Sequence, residues 1–430
     1  MQRTTLAPFQ FVLLTLLSAM PLTFATELSA NDFYDPSCEN RGLVKDLQKD
    51  FGIPTDGSRD VSAGLQKAID EISSAGGGML TMPAGTYQIA NVQLKSNVHI
   101  GIDHEATLIP FVGDKVKNTT LFSMGKDDEP VENVSVRGLG GRFTAKFFEH
   151  GKGLQVVATG NVNNFYIGNF HCVDAKTALS CVNFNAMGLE SDQKSVPTKG
   201  TVENISVENA HYGYGVIQAQ AAKDVFFKNL SGVGGATLRL ETGLTKMNDA
   251  QFGGLSNIVA KNIECINGNS AVMISPHSMT NGVVQITGVK SVGCGFAVRI
   301  EGGFVSKKYS TAGLEPGTFA KGSFVKNIDA TFGEQAQLKQ KHLRYMPPEL
   351  LSTLEIPEGI GYATPFVGPA IAAVLNDANY EVDVQGVEAR GFQFAEDIVT
   401  EPVVDNAKNP KANPKKTSAK KGKGKAKRKN

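Results

Sequence analysis

Tryptophan is absent from this 430-residue chain, so any aromatic stacking platform it offers must be a tyrosine or a phenylalanine. Five cysteines (Cys38, Cys172, Cys181, Cys265 and Cys294) form an odd count over a long chain, which excludes a disulfide framework. Cys172 and Cys181 are spaced so that they could pair, but buried free thiols are the simpler reading. Charged residues make up only 20%, and the net charge is +1, so no broad basic face suited to nucleic acid runs through the chain. Long apolar runs are also missing. Phe11 to Leu17 is too short to cross a bilayer, and no later run is long enough.

The charge that is present is unevenly placed. Residues 405–430 hold eleven Lys/Arg against one Asp, a net of +10 that leaves −9 for the rest. Such a tail, rich in Lys with Pro, Gly, Ala and Ser, cannot bury a core and reads as disordered. It suits contact with polyanions, or serves only as a solubilising tail. At the other end, Gln2-Arg3, the apolar run and Thr23-Phe24-Ala25 have the layout of a signal peptide over residues 1–25. A cut after Ala30 is the alternative. The mature protein is therefore expected outside the cytoplasm, secreted or periplasmic/extracellular.

Glycine is plentiful at 46 residues, and with asparagine it marks a recurring unit. Val136-Arg137-Gly138-Leu139, Ile167-Gly168-Asn169-Phe170, Val207-Glu208-Asn209-Ala210 and Phe227-Lys228-Asn229-Leu230 share the pattern of Asn or Gly before an apolar residue. Ala260-Lys261-Asn262-Ile263, Ile286-Thr287-Gly288-Val289 and Val325-Lys326-Asn327-Ile328 repeat it. The Asn/Gly positions are 31, 40, 20, 33, 26 and 39 residues apart. Irregular spacing around a fixed core is the signature of a solenoid with loop insertions. Asn and Gly most readily take the left-handed backbone that a sharp corner needs. The fold expected is all-β, a right-handed parallel β-helix over residues 31–404. Asp60 to Ser74 reads as an amphipathic helix, with Leu65, Ala68, Ile69 and Ile72 on one face, capping the open N-terminal end. Strands are expected at Met79–Met82 and Ile89–Leu94. Rungs run from about 92 to 332. Residues 333–369 break the pattern as an insertion: Gln335 to Leu354 looks helical apart from Pro347-Pro348, and it either walls a groove or caps the end. Strands resume at Ala370–Leu375 and Tyr380–Val387.

Four consecutive rungs carry the candidate chemistry. After the corner they read Val216-Ile217-Gln218-Ala219-Gln220, Leu238-Arg239-Leu240-Glu241, Val272-Met273-Ile274-Ser275-Pro276-His277 and Val298-Arg299-Ile300-Glu301. Alternation turns Leu238, Leu240, Val272, Ile274, Val298 and Ile300 inward. Gln218, Gln220, Arg239, Glu241, Ser275, His277, Arg299 and Glu301 then share the outer face. Rungs are about 4.8 Å apart, so Glu241 and Glu301 sit about 9–10 Å apart at the backbone, with His277 on the rung between. Inverting glycosidases hold their two carboxyls about 6.5–9.5 Å apart, with a water on the far face of the sugar. Arg239 and Arg299 suit sulfate or carboxylate groups, and Tyr214, with Tyr212 and Phe304, could stack on sugar. The bland alternative is a solvent-facing ion-pair ladder of Arg239–Glu241 and Arg299–Glu301.

The segment from Asp50 through the capping helix to Leu94 resembles the entrance of pectin-lyase-like β-helix enzymes. Gln218, Leu238-Arg239-Leu240-Glu241-Thr242-Gly243 and Pro276-His277, in their spacing, resemble the iota-carrageenase family of glycoside hydrolases, and the likeness spans roughly residues 50–330. The resemblance implies a secreted β-helix enzyme that cuts β-1,4 bonds of sulfated red-algal galactans with inversion. It implies Glu241 as general acid, with Gln218 and His277 positioning the attacking water or an ion. The family pattern carries an Asp two residues after the acid, and here that position is Gly243. Glu301 is the substitute base on geometric grounds, and His277 is second. The acid needs a raised pKa. No cofactor is required, no His/Cys cluster has metal-ligand spacing, and a structural or site-bound calcium, sodium or chloride ion is compatible with the site.

Two other functions compete. A polysaccharide lyase could use Arg239, Arg299 and His277 on an anionic glycan. A non-catalytic carbohydrate-binding β-helix would fit the missing side chain at Gly243. Uronan hydrolysis of the polygalacturonase type is disfavoured, because its paired-aspartate motif and its Gly-His-Gly and Arg-Ile-Lys signatures are absent.

Overall fold

A computed structural model describes residues 32–404, apart from 41, 114–116, 127 and 358. The signal-peptide reading and the Lys-rich tail lie outside the described residues. Two long parallel sheets dominate. A fifteen-stranded sheet ascends from Leu43–Asp46 through Val131–Leu139, Val162–Val173, Thr198–Ala210, Ala221–Gly234, Gly254–Ile266, Val284–Val292 and Phe324–Thr331 to Asp383–Arg390. A ten-stranded sheet includes Val182–Phe184, Ile217–Ala219, Ala236–Glu241, Ser270–Ser275, Phe296–Glu301 and Val374–Asp377. Each strand of the first sheet leads to the matching strand of the second, and the chain then returns one rung higher. With the right-handed crossover that parallel strands adopt, this is a right-handed parallel β-helix.

The interior is built of aligned apolar columns. Val202, Phe227, Ala260, Ile286, Val325 and Val384 succeed one another in register along the first sheet. Ile217, Leu238, Val272, Val298 and Val374 do so along the second, all fully buried. Burying one such side chain contributes about 1.5–3 kcal/mol, and stacking identical positions repeats that gain at every rung.

The corners are an asparagine ladder. Asn204 donates from Nδ2 to Asn169 Oδ1 at 3.0 Å, Asn229 to Asn204 at 2.9 Å, and Asn262 to Asn229 at 2.9 Å. All four have left-handed backbones. The sequence register needs one correction: Asn204, not Asn209, occupies this column, because Glu203 pairs with Lys228 and Ile205 with Leu230. The spacings there are 35 and 25 residues, not 40 and 20. Asn209 is also left-handed but lies beyond Val207, where the register shifts. Gly138 is likewise not a left-handed corner. Its glycine is needed for close approach, since a Cβ would meet the Asn169 and Gly141 carbonyl oxygens, each at 2.3 Å.

The capping helix spans Ser62–Ser74 and buries Leu65, Ala68, Ile69 and Ile72 as expected, but Asp56–Asp60 before it is a strand. Thr86 already belongs to the strand Thr86–Ile89, and left-handed Asn91 separates that strand from Val92–Gln93. The segment after 333 is not one interrupted helix. Ala336–Leu338 pairs antiparallel with Phe366–Gly368, Gln340–Tyr345 is a 3-10 turn, and only Pro348–Thr353 is α-helical. Its apolar residues Leu338, Leu343, Met346, Leu351 and Phe366 pack with Phe296, Ile371 and Leu375 against the flank of the second sheet. The late strands are Val374–Asp377 and Asp383–Arg390. All five cysteines are free, and four are buried. Among the described residues no helix is long and apolar enough to cross a membrane.

Candidate functional site

The second sheet's outer face carries the polar columns. Gln218 aligns with Arg239, Arg239 with Met273, and Met273 with Arg299. One column over, Glu241 aligns with Ser275, and Glu301 with Asp377. Glu241 and Glu301 therefore face the same side two rungs apart, about 9–10 Å along the stack. Gln220 follows Ala219 at the foot of that column.

Arg239 pairs with Glu241 Oε2, and its Nη1 donates to the Gly213 carbonyl at 2.7 Å and to Gln218 Oε1 at 3.1 Å. The Arg239 guanidinium lies 5.7 Å from the Tyr214 ring centroid. Arg299 is almost wholly buried. It faces Glu301 at 3.6 Å, Met273 Sδ at 2.8 Å and Asn269 Oδ1. Both Arg–Glu pairs of the ladder alternative are thus present, yet they line a half-buried recess and not an open face, with Glu241 and Glu301 side chains 14% and 22% exposed.

His277 is not placed by strand alternation. The strand ends at Ser275, and His277 has a left-handed backbone, φ 51°. That conformation costs a non-glycine residue about 1–2 kcal/mol. Two amides hold it there, since the His277 carbonyl accepts from Phe304 N–H at 2.8 Å and Gly317 N–H at 2.7 Å. Retained strain of this kind clusters at working sites. The imidazole Nε2 lies 3.2 Å from Glu241 Oε1, and Nδ1 lies 2.7 Å from the Tyr309 hydroxyl. An ionised Glu241 only accepts, so Nε2 carries the proton between them. Phe304, 44% exposed, packs its ring 4.5 Å from the imidazole. Gly243 leaves room for this arrangement: a Cβ there would stand 2.7 Å from His277 Nε2.

Several site groups had no signal in the sequence. Lys341 of the insertion reaches Glu301 Oε1 at 3.0 Å. His342 is fully buried, with Nδ1 accepting from Lys339 N–H at 3.2 Å and Nε2 lying 3.2 Å from the Tyr212 hydroxyl and 3.3 Å from Arg299 Nη1. Tyr309 sits on the 302–317 loop, which Asp249 anchors by accepting from Ser310 and Thr311 N–H at 2.7 and 3.0 Å. Tyr309 arrives on a loop and Lys341 and His342 on the 3-10 turn, where neither period two nor α-helical period constrains position.

The electrostatics correct one expectation. Burial pushes the Glu241 carboxyl up, but Arg239, His277 and Arg299 together outweigh it and hold the group far below the ordinary carboxylate range. Burial likewise opposes, and Arg299 and Lys341 outweigh it, at Glu301, which is pushed down to about 2. Both carboxylates are therefore ionised in the free protein, and Glu241 lacks the raised pKa expected of an acid. Burial lowers His342 well below its usual value, keeping it neutral beside Arg299. Among the described residues no group of three or more His, Cys, Asp and Glu is arranged to hold a metal ion.

No protein-family model matches the sequence. The chain is 35% identical to the iota-carrageenase of Zobellia galactanivorans, over 85% of this chain and 87% of that protein. It is 32% identical to the iota-carrageenase of Alteromonas macleodii, over 84% and 86%. A solved iota-carrageenase in complex with iota-carrageenan fragments superposes with a TM-score of 0.80 at 30% identity, covering 89% of this chain and 97% of that one.

Proposed function

The chain belongs to the iota-carrageenase family of carrageenan-cleaving glycoside hydrolases, and from that premise we propose the roles of its own residues. The enzyme cuts an iota-carrageenan-like sulfated galactan at internal bonds with inversion. Glu241 protonates the glycosidic oxygen, and Glu301 takes the proton from a water attacking the opposite face of the sugar. The observation that carries this reading is the shared outward column of Glu241 and Glu301, two rungs apart. That separation suits a sugar and a water between two carboxyls. Ionised Glu301 is in the state a base requires.

Gln218, through Arg239, and His277 orient the acid and the attacking water or a bound anion. Arg239, Arg299 and the insertion's Lys339 and Lys341 supply positive potential for sulfates. Gln220 and Tyr214 extend the sugar contacts, and Phe304 gives the stacking face that tryptophan would otherwise provide. Acid–base hydrolysis needs no organic cofactor. A site-bound chloride, sodium or calcium ion is compatible with this role set, and chloride fits the cationic recess best. Residues 31–404 form the catalytic body, with 333–369 as its wall. Export through the 1–25 leader brings the enzyme to its polymer, and the 405–430 tail holds polyanions nearby.

Glu241→Gln tests the assignment. Reducing-end release from iota-carrageenan should fall at least about a thousandfold with the β-sheet circular dichroism unchanged. Wild-type release would eliminate Glu241 as the acid. A lyase would instead yield a product absorbing in the ultraviolet.

A further inference from the structure

Glu241 can donate a proton only after binding one, and in the free protein its neighbours oppose that. Arg239 pairs with Oε2 and His277 donates to Oε1. Arg299 and Lys339 add positive potential from a higher rung and from the insertion, while Glu301 and the Tyr309 phenol are the opposing neighbours. Something must loosen this grip when substrate arrives.

Arg239 is the partner that substrate can reach. Its side chain is 19% exposed, against 3% for Arg299. Among the described residues it is tethered to the scaffold through Nη1 alone, its Nη2 faces Glu241, and its buried Nε has no hydrogen-bond partner. Nη2 carries a second N–H beyond the one that faces Glu241, so the guanidinium has a donor left for an incoming anion while it neutralises the acid.

Resting on the reading of Glu241 as acid, we propose that Arg239 senses the substrate's sulfate: a sulfate ester on the bound sugar takes the guanidinium from Glu241, and the freed carboxylate then binds the proton it will donate. One guanidinium–carboxylate pair becomes a guanidinium–sulfate pair, and one proton comes from solvent. No bond to sulfur forms or breaks. Charge in the recess is conserved, because the sulfate brings the negative charge that protonation of Glu241 removes. A neutral sugar brings none, and protonating Glu241 beside it would leave a half-buried guanidinium uncompensated. Sulfate esters stay anionic across the neutral range, and the planar guanidinium can grip two of their oxygens. Selection for sulfated galactan therefore acts on the chemical step as well as on binding.

The pH dependence of the wild-type enzyme on iota-carrageenan is the test. The ratio kcat/KM reports the free enzyme and kcat the loaded one. We expect kcat/KM to fall about tenfold per pH unit between roughly pH 5 and 7, while kcat stays flat. Profiles that break at the same pH overturn the proposal. Arg239→Gln should also narrow the kcat/KM ratio of sulfated to desulfated carrageenan by about tenfold or more. An unchanged ratio in a folded variant overturns it too, and if that variant does not fold the wild-type profiles decide. Glu241→Gln separates the two claims: an active variant removes the acid assignment, whereas an inactive one with coincident wild-type profiles removes only the sensor.

Discussion

An alanine at position 243 is the smallest change that parts His277 from Glu241. Its Cβ would stand 2.7 Å from Nε2 and 2.8 Å from Cε1 of His277, closer than real contacts allow. Gly243 does not use the left-handed backbone, so the main chain accepts alanine and the far end of the imidazole must swing away. The 3.2 Å hydrogen bond to Glu241 is lost with that movement. A hydrogen bond to a charged group contributes about 1.5–3 kcal/mol, and at 14% exposure solvent screens Glu241 little. At about 1.4 kcal/mol per unit, the lost bond corresponds to about 1–2 pKa units.

The direction follows from which form the bond favours. It stabilises the carboxylate, so losing it raises the pKa of Glu241 toward the ordinary range, with Arg239 still holding it low. A depressed carboxyl contributes stability above its unfolded pKa and loses it as pH falls through the folded value. Gly243→Ala should therefore be less stable than wild type near pH 7, and the gap should close only as pH falls through the two folded values, well below the ordinary carboxylate range. The alkaline limb of kcat/KM against pH should move up by about 1–2 units. A folded variant whose limb stays in place, or moves down, would refute the reasoning.

Three further outcomes follow from single contacts. Lys341→Ala removes a cation that holds Glu301 down at about 2, so the acid limb of kcat should move to higher pH; an unmoved limb argues against Glu301 as the base. Phe304→Ala should raise KM for iota-carrageenan about fivefold, equivalent to about 1 kcal/mol, with kcat little changed; an unchanged KM means no sugar lies on that ring. Asn229→Ala breaks two ladder hydrogen bonds and forces alanine into φ 52°. Urea unfolding should show a loss of about 2–4 kcal/mol, with Asn229→Gly recovering the backbone share; wild-type stability in the alanine variant would deny the ladder a role.

The corner columns and the inward faces were legible because a solenoid turns spacing along the chain into adjacency in space. Leu238, Val272 and Val298 stack because each rung repeats one strand geometry, and the same rule brought Glu241 and Glu301 to one face. The choice between Asn204 and Asn209 was not legible. Both are asparagines with left-handed backbones, and only the hydrogen-bond register of the neighbouring rung separates them. The helix read over Gln335–Leu354 failed because apolar Leu338, Leu343 and Leu351 serve a packing surface that strand, 3-10 turn and short helix share.

Local backbone preference and two-residue periodicity thus settled the coil, most of its corners and the outward direction of the arginines and glutamates. Both are properties of a residue and its chain neighbours. Where the 3-10 turn delivers Lys341 and loops deliver Tyr309 and the left-handed His277, and whether each carboxyl keeps its proton, depended on groups distant in sequence. Charge in a recess answers to whatever lies within a few ångströms, and folding alone chooses those neighbours.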